Sequence, residues 1–126
     1  MRSVNKVVLM GHLATDPENT VLKSGQTVTK FKIATNRDWK SSSGEKQEST
    51  DFHRVVSWNK LAEICSKYLK KGFAVYLEGR IMNHVYTAAN GEKRSITEIV
   101  ADVVNFINYK KHKEEEQINL IEMPAQ

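Results

Sequence analysis

Thr50-Asp51-Phe52-His53-Arg54-Val55-Val56-Ser57-Trp58-Asn59-Lys60-Leu61-Ala62-Glu63 is the stretch from which the fold can be read. Phe52, Arg54 and Trp58 stand at even spacing, so a strand through them carries flat aromatic faces and a cation on one side of a sheet. The segment then runs straight into a helical pattern. An ordinary amphipathic strand would turn the same aromatics inward, but an apolar core has no use for Arg54. Rings beside a cation suit unpaired nucleic acid: exposed bases stack on aromatic side chains for roughly 1–3 kcal/mol each, and their phosphates need Lys or Arg nearby.

The neighbouring segments extend this into a fold. Thr27 to Trp39 alternates, with Phe31 and Ile33 on one side and Lys30 and Lys32 on the other, which predicts a half-buried strand with a basic outer face. Ser41-Ser42-Ser43-Gly44 with Glu45-Lys46 reads as a polar hairpin loop, so this strand and the return strand from Glu48 to Trp58 form a long finger with Trp39 at the loop's base. Leu61, Ile64, Cys65, Tyr68 and Leu69 follow the i, i+3, i+4, i+7, i+8 spacing of one helix face, with Asn59 placed to cap the start and Gly72 just past the end.

Phe73, Val75, Leu77, Gly79 and Ile81 are expected on the inner face of a fourth strand, with Ala74, Tyr76, Glu78, Arg80 and Met82 pointing the other way. Gly79 in mid-strand predicts a bend or bulge of the sort that closes a barrel. Ala89-Asn90-Gly91 is a turn signal, and Arg94 to Phe106 returns as the fifth strand. Near the start, Val7-Val8-Leu9-Met10 is apolar at both parities. Such a strand needs cover on both faces, and another subunit can supply the outer cover, so Val8 and Met10 are interface candidates; isolated exposed apolar side chains are the plainer alternative. Five strands with one helix between the third and fourth is the order of the all-β OB-fold, a Greek-key barrel that commonly binds oligonucleotides or oligosaccharides.

Composition sets the scale. With 126 residues, 40% hydrophobic and 27% charged, the chain can bury one modest core, which predicts an OB-fold domain over residues 1–109 and a charged, flexible tail over 110–126. The formal charge of +4 divides unevenly: 18 Lys or Arg stand against 11 Asp or Glu up to His112, giving +7, and one Lys against four Glu beyond it, giving −3. A basic body favours a polyanionic partner. Cys65 is the only cysteine, so no intramolecular disulfide or multi-cysteine zinc site is expected and a reducing cytoplasm fits. No apolar run reaches membrane-spanning length, and nothing resembling a signal peptide precedes the first strand.

With these segments placed, the chain resembles the bacterial single-stranded DNA-binding proteins from about Ser3 to Phe106. The resemblance rests on an ordered series: Val4-Asn5-Lys6-Val7-Val8-Leu9-Met10-Gly11-His12-Leu13 with Asp16-Pro17-Glu18, Ser24-Gly25-Gln26, Ala34-Thr35-Asn36 with Trp39, and Gly44-Glu45-Lys46-Gln47-Glu48 leading into Phe52-His53-Arg54-Val55-Val56. Lys60-Leu61-Ala62-Glu63-Ile64, Tyr68-Leu69-Lys70-Lys71-Gly72, Val75-Tyr76-Leu77-Glu78-Gly79-Arg80 and Thr97-Glu98-Ile99-Val100 complete it.

The resemblance implies a homotetramer assembled through the first strand and sheet faces, with Val8, Met10, His53 and Tyr76 at subunit contacts, and single-stranded DNA wrapped around the outside. It also implies base stacking at Trp39, Phe52, Trp58 and Tyr86. Phe52 stands where the family commonly has Trp, Trp58 where it commonly has Phe, and Tyr86 where Trp is frequent; a sequence-tolerant aromatic platform survives all three exchanges. Phosphate contacts carry over to Lys6, Arg54, Lys60, Lys71 and Arg80. The family is rich in Arg and Lys just before Tyr86, whereas this chain has Met82, Asn83, His84 and Val85, leaving Arg80, Lys93 and Arg94 to compensate. Family members usually end in an acidic tip closing on Pro-Phe that recruits replication and repair proteins. This chain ends Ile121-Glu122-Met123-Pro124-Ala125-Gln126, so such recruitment is not assumed.

Two other classes compete. For an enzyme, His12, His53, His84 and His112 are scattered without metal-ligand spacing, and Asp51 and His53 share a strand face with no Ser or Cys nucleophile beside them, so no catalytic residue, metal or cofactor is expected. For an OB-fold module that works mainly by contacting proteins, in the manner of a primosome accessory protein, the stacking aromatics should have been lost. All four positions are aromatic here.

Overall fold

The computed structural model describes residues 1–107, in which the period-2 stretches become strands β1 (Val7–Leu13), β2 (Glu18–Val21), β3 (Thr27–Lys40), β4 (Lys46–Trp58), β5 (Ala74–Thr87) and β6 (Lys93–Ile107), with helix α1 (Asn59–Tyr68) between β4 and β5. The tail over 110–126 and its altered tip lie outside the described residues. Five strands close in the order β1-β5-β6-β4-β3, and the ring is completed where β1 meets β3 at His12↔Ala34 and Leu13↔Ile33. The β4–β6 contact is parallel and short, Val55↔Ile99 and Val56↔Val100, while the other ladders are antiparallel. This is the expected Greek-key barrel with its helix between the third and fourth barrel strands. Among the described residues no helix is long and apolar enough to cross a membrane.

Inward-facing residues of the alternating strands, Phe31, Ile33, Val55, Val75 and Leu77 among them, meet Leu61 and Cys65 from α1 and Leu69 just past its end in one core cluster. Burying each large apolar side chain contributes about 1.5–3 kcal/mol. Cys65 belongs to this packing: burial pushes its thiol up to about 12, which removes thiolate character at neutral pH.

Three local features differ from the reading of the sequence. Strand β2 was not anticipated, because all four of its residues are exposed and no burial alternation marks it; it adds to the outer edge of β3 through Glu18↔Lys30 to Val21↔Thr27. Asn59 does not cap α1. Trp58, with extended backbone and no side-chain cap, holds that position, while Asn59 takes a left-handed φ of 57°, which Asn tolerates better than most residues, to turn the chain from strand into helix. Ile81 keeps the inner-face parity opposite the core residue Ile99, yet it is 44% exposed, because it stands at the barrel rim where the β4–β6 contact begins.

The predicted bulge lies just before that rim. The register jumps from Glu78↔Val103 to Gly79↔Ala101, leaving Asp102 unmatched; Val100 and Ile99 then pair with both β5 and β4, and past them β5 and β6 continue as a two-stranded finger.

Strand β2 and α1 are tied to the barrel by a buried polar relay. The Thr29 hydroxyl donates to the Ala62 carbonyl at 2.7 Å and accepts from Asn19 Nδ2 at 2.8 Å, while Ser57 Oγ donates to the Thr29 carbonyl at 3.1 Å. Thr29 and Ser57 are fully buried, so these partners cannot be replaced by water. A Thr29→Val protein keeps the shape but loses both side-chain bonds, while the exposed Asn19 amide can turn to water and the Ala62 carbonyl keeps its place in the helix ladder. Its stability should fall by about 0.5–1.5 kcal/mol, read as a lower urea midpoint with unchanged slope.

Candidate nucleic-acid interface

The β3–β4 ladder runs unbroken from Val28↔Trp58 to Lys40↔Lys46, and residues directly opposite share a face. The face that carries Phe52 therefore also carries Ala34, its partner, then Lys32 beside Arg54, Lys30 beside Val56, and Val28 beside Trp58. From Phe52 to Trp58 the strand advances roughly 20 Å at about 3.4 Å per residue. Phe52 is 62% exposed; Trp58, backed by Val28, is partly buried.

A groove of about 650 Å³ opens on this face, walled by Asp16, Pro17 and Glu18 on one side, Lys30, Lys32 and Arg54 along the floor, and Ile96 and Glu98 of β6 on the other. The second finger continues that far wall. Glu98 pairs with Met82, Ile96 with His84 and Arg94 with Tyr86, so Tyr86, 44% exposed, stands on the groove side together with Arg94. Three of the four aromatics expected to stack, Phe52, Trp58 and Tyr86, thus share one continuous surface. Trp39 does not. Its partner is Gln47, which puts it, 45% exposed, on the opposite face of the first finger with Thr35, Arg37, Asp51 and His53.

The cations differ in availability. Among the described residues, the side chains of Arg54, Lys32, Lys60, Lys71 and Lys93 make no ion pair, and the Lys71 N–H donates to Asp16 Oδ1 at 2.9 Å, which draws its turn toward the groove wall. Lys30 lies 3.9 Å from Glu98, whose other oxygen lies 2.9 Å from His84 Nε2. Arg80 pairs with Asp102 at 3.4 Å, and Arg94 with Glu92 at 3.3 Å.

Lys6 belongs elsewhere: it pairs with Glu78 at 3.1 Å on the outer face of β1 and β5, away from the groove. Lys30, Lys32 and Glu98 were not singled out as site residues from the sequence. Alternation marked the two lysines as outward, but only the register sets them beside Arg54.

That β1–β5 face is a second distinct surface. Val8 and Met10 are 55% and 65% exposed and pair with Glu78 and Tyr76 respectively. The Tyr76 hydroxyl donates to Glu78 Oε2 at 2.6 Å and, with Lys6 on the other oxygen, holds the Glu78 carboxyl below the usual carboxylate range. His53 lies off this face: its Nε2 is 2.9 Å from Thr35 Oγ1, and Thr35 lines a shallow hollow together with Met10 and His12. Asp51 and His53, which share a strand face as expected, are engaged separately, with Arg37 and Thr35.

Residues 4–107 match the model of the Single-strand binding protein family. Single-stranded DNA-binding protein 1 of Chlorobaculum tepidum is 47% identical over 110 residues, covering 86% of this chain and 68% of that protein. The single-stranded DNA-binding protein of Neisseria meningitidis serogroup A is 41% identical over 105 residues, covering 83% of this chain and 60% of its own length. Among solved structures, the Plasmodium falciparum SSB in complex with ssDNA superposes with a TM-score of 0.79 at 30% identity, over 86% of this chain and 98% of that one. A deletion mutant of the single-stranded DNA binding protein from Thermus aquaticus gives 0.76 at 25% identity, over 85% and 52%.

Proposed function

The chain belongs to the single-strand binding protein family, and from that premise we propose that it binds and protects single-stranded DNA during replication, recombination and repair, with little regard to base sequence and without catalysing a reaction. The observation that carries the reading is the convergence of Phe52, Trp58 and Tyr86 on one groove floored by Lys30, Lys32 and Arg54. Every base has a π face, so such a platform is indifferent to sequence, and the unpaired cations supply the phosphate term. Arg94, opposite Tyr86, and Lys71, bonded to Asp16 of the groove wall, border this path; Lys60 follows Trp58 at the start of α1 and completes the proposed contacts, whereas Lys93, opposite Thr87, lies on the other face of the second finger. Arg80, tied to Asp102, is a weaker candidate, and Lys6 serves the other face. The reading includes a cytoplasmic location, which the single, buried free cysteine suits.

Salt dependence tests the electrostatic half. For single strands the slope of log K against log salt is about −0.7 per neutralised phosphate, so Arg54→Ala should flatten it by about that amount. A parent slope near zero, or an Arg54→Ala slope equal to the parent's, counts against the groove.

Val8 and Met10, exposed on a strand whose opposite parity packs into the core, support assembly of a homotetramer through β1, with Tyr76 beside them and His53 behind the adjoining hollow. Met10→Glu places a charge in that contact. The parent should sediment as a tetramer and the variant as a smaller species; an unchanged mass would remove Met10 from the interface.

A further inference from the structure

Arg37 lies on the Trp39 side of the first finger, where the register gives it two partners. It stands opposite Ser49, so Asp51 is its diagonal neighbour on β4 and Trp39 follows two residues on along β3, all on one face. Its Nε donates to Asp51 Oδ2 at 2.8 Å, and its guanidinium carbon lies 5.4 Å from the centroid of the Trp39 ring. The carboxylate fixes the orientation of a planar fork, and a guanidinium at that distance is within cation–π range. One flank of the indole is occupied while the ring as a whole stays 45% exposed.

We infer that Arg37, anchored by Asp51, is a positioning residue for Trp39: it holds the indole so that a single, preset face is offered to a base. The inference rests on the proposed binding of single strands and on the stacking role that the family resemblance implies for Trp39, here on the face opposite the groove. A ring already fixed in its bound orientation loses less side-chain entropy when a base arrives. Because Asp51 compensates the Arg37 charge, the effect is on the ring and not on phosphate.

The test uses a Trp58→Phe background, in which Trp39 is the only tryptophan. In the free protein, Arg37→Ala and Asp51→Asn should each increase acrylamide quenching of Trp39, since the covered flank is released. Arg37→Ala should raise the Kd for oligothymidine about two- to fivefold. Its salt slope should stay within about 0.3 of the background value, whereas a lost phosphate contact would flatten it by about 0.7. Unchanged acrylamide quenching, an unchanged Kd, or the larger change of slope overturns the inference. Trp39→Ala in the same background separates the two levels. If it weakens binding while Arg37→Ala does not, only the positioning role fails; if neither weakens binding, the stacking role of Trp39 fails with it.

Discussion

A Phe52→Ala protein should fold as the parent does and bind oligothymidine roughly 5- to 150-fold more weakly, the equivalent of about 1–3 kcal/mol for one lost base stack. Phe52 is the cleanest of the aromatic positions because it is 62% exposed and faces Ala34 across the ladder, so little packing is lost with it. Surface substitutions of that kind usually change stability by less than about 0.5 kcal/mol. Trp58→Ala is less clean: the ring is partly buried against its Val28 partner, so stability and affinity should fall together. Isothermal titration, paired with a thermal melt, separates the two quantities. A Kd for Phe52→Ala within about twofold of the parent would place the DNA path away from the Phe52–Arg54 face.

The largest expected cost to the fold comes from one methyl group. A Cβ built on Gly79 would lie 2.1 Å from the Val100 carbonyl oxygen and 3.1 Å from the Ala101 Cα, both backbone atoms that no rotamer change can move. The crowding arises where β6 carries its unmatched residue, Asp102, so the two strands cannot part there without giving up the barrel's bend. Gly79→Ala should therefore destabilise by about 3 kcal/mol or more and lower the thermal midpoint by about 10 °C or more. Because the second finger springs from this point, the surviving folded fraction should also present Tyr86 differently and bind DNA less tightly. A midpoint within about 2 °C of the parent would show that the bulge absorbs a side chain and that Gly79 does not set the geometry. A Cβ added at Gly11 would likewise collide with the Ala34 carbonyl oxygen, where β1 closes on β3, and Gly11→Ala should behave similarly.

Much of this architecture was legible before any coordinates. Period-2 alternation assigned Phe31 and Ile33 inward and Lys30 and Lys32 outward, and it put Phe52, Arg54 and Trp58 on one face, because strand parity is a local property. Helical spacing likewise found the buried face of α1, and Gly79 announced the bulge.

What escaped was whatever depends on register between segments. That Tyr86 joins the groove while Trp39 faces away follows from Tyr86↔Arg94 and Trp39↔Gln47, pairings fixed by loop length and by a bulge whose extra residue the sequence does not mark. Strand β2 and the Asn19–Thr29–Ala62 relay were invisible for a related reason: one is exposed throughout, and the other joins three elements through small polar side chains that suit a turn equally well. Ile81 has the expected parity but is exposed, because alternation does not reveal where a core ends beneath a strand.

The central claim is that aromatic rings in water, lined up with unpaired cations, receive unpaired bases. Trp39 and Trp58 are the only tryptophans in the chain, so intrinsic emission reports on stacking without a label. Titration with oligothymidine should quench that emission saturably, with an affinity that falls as salt rises, and duplex DNA of equal phosphate concentration should neither quench nor compete effectively. Emission unmoved by oligothymidine, or quenched equally by duplex, would contradict the account.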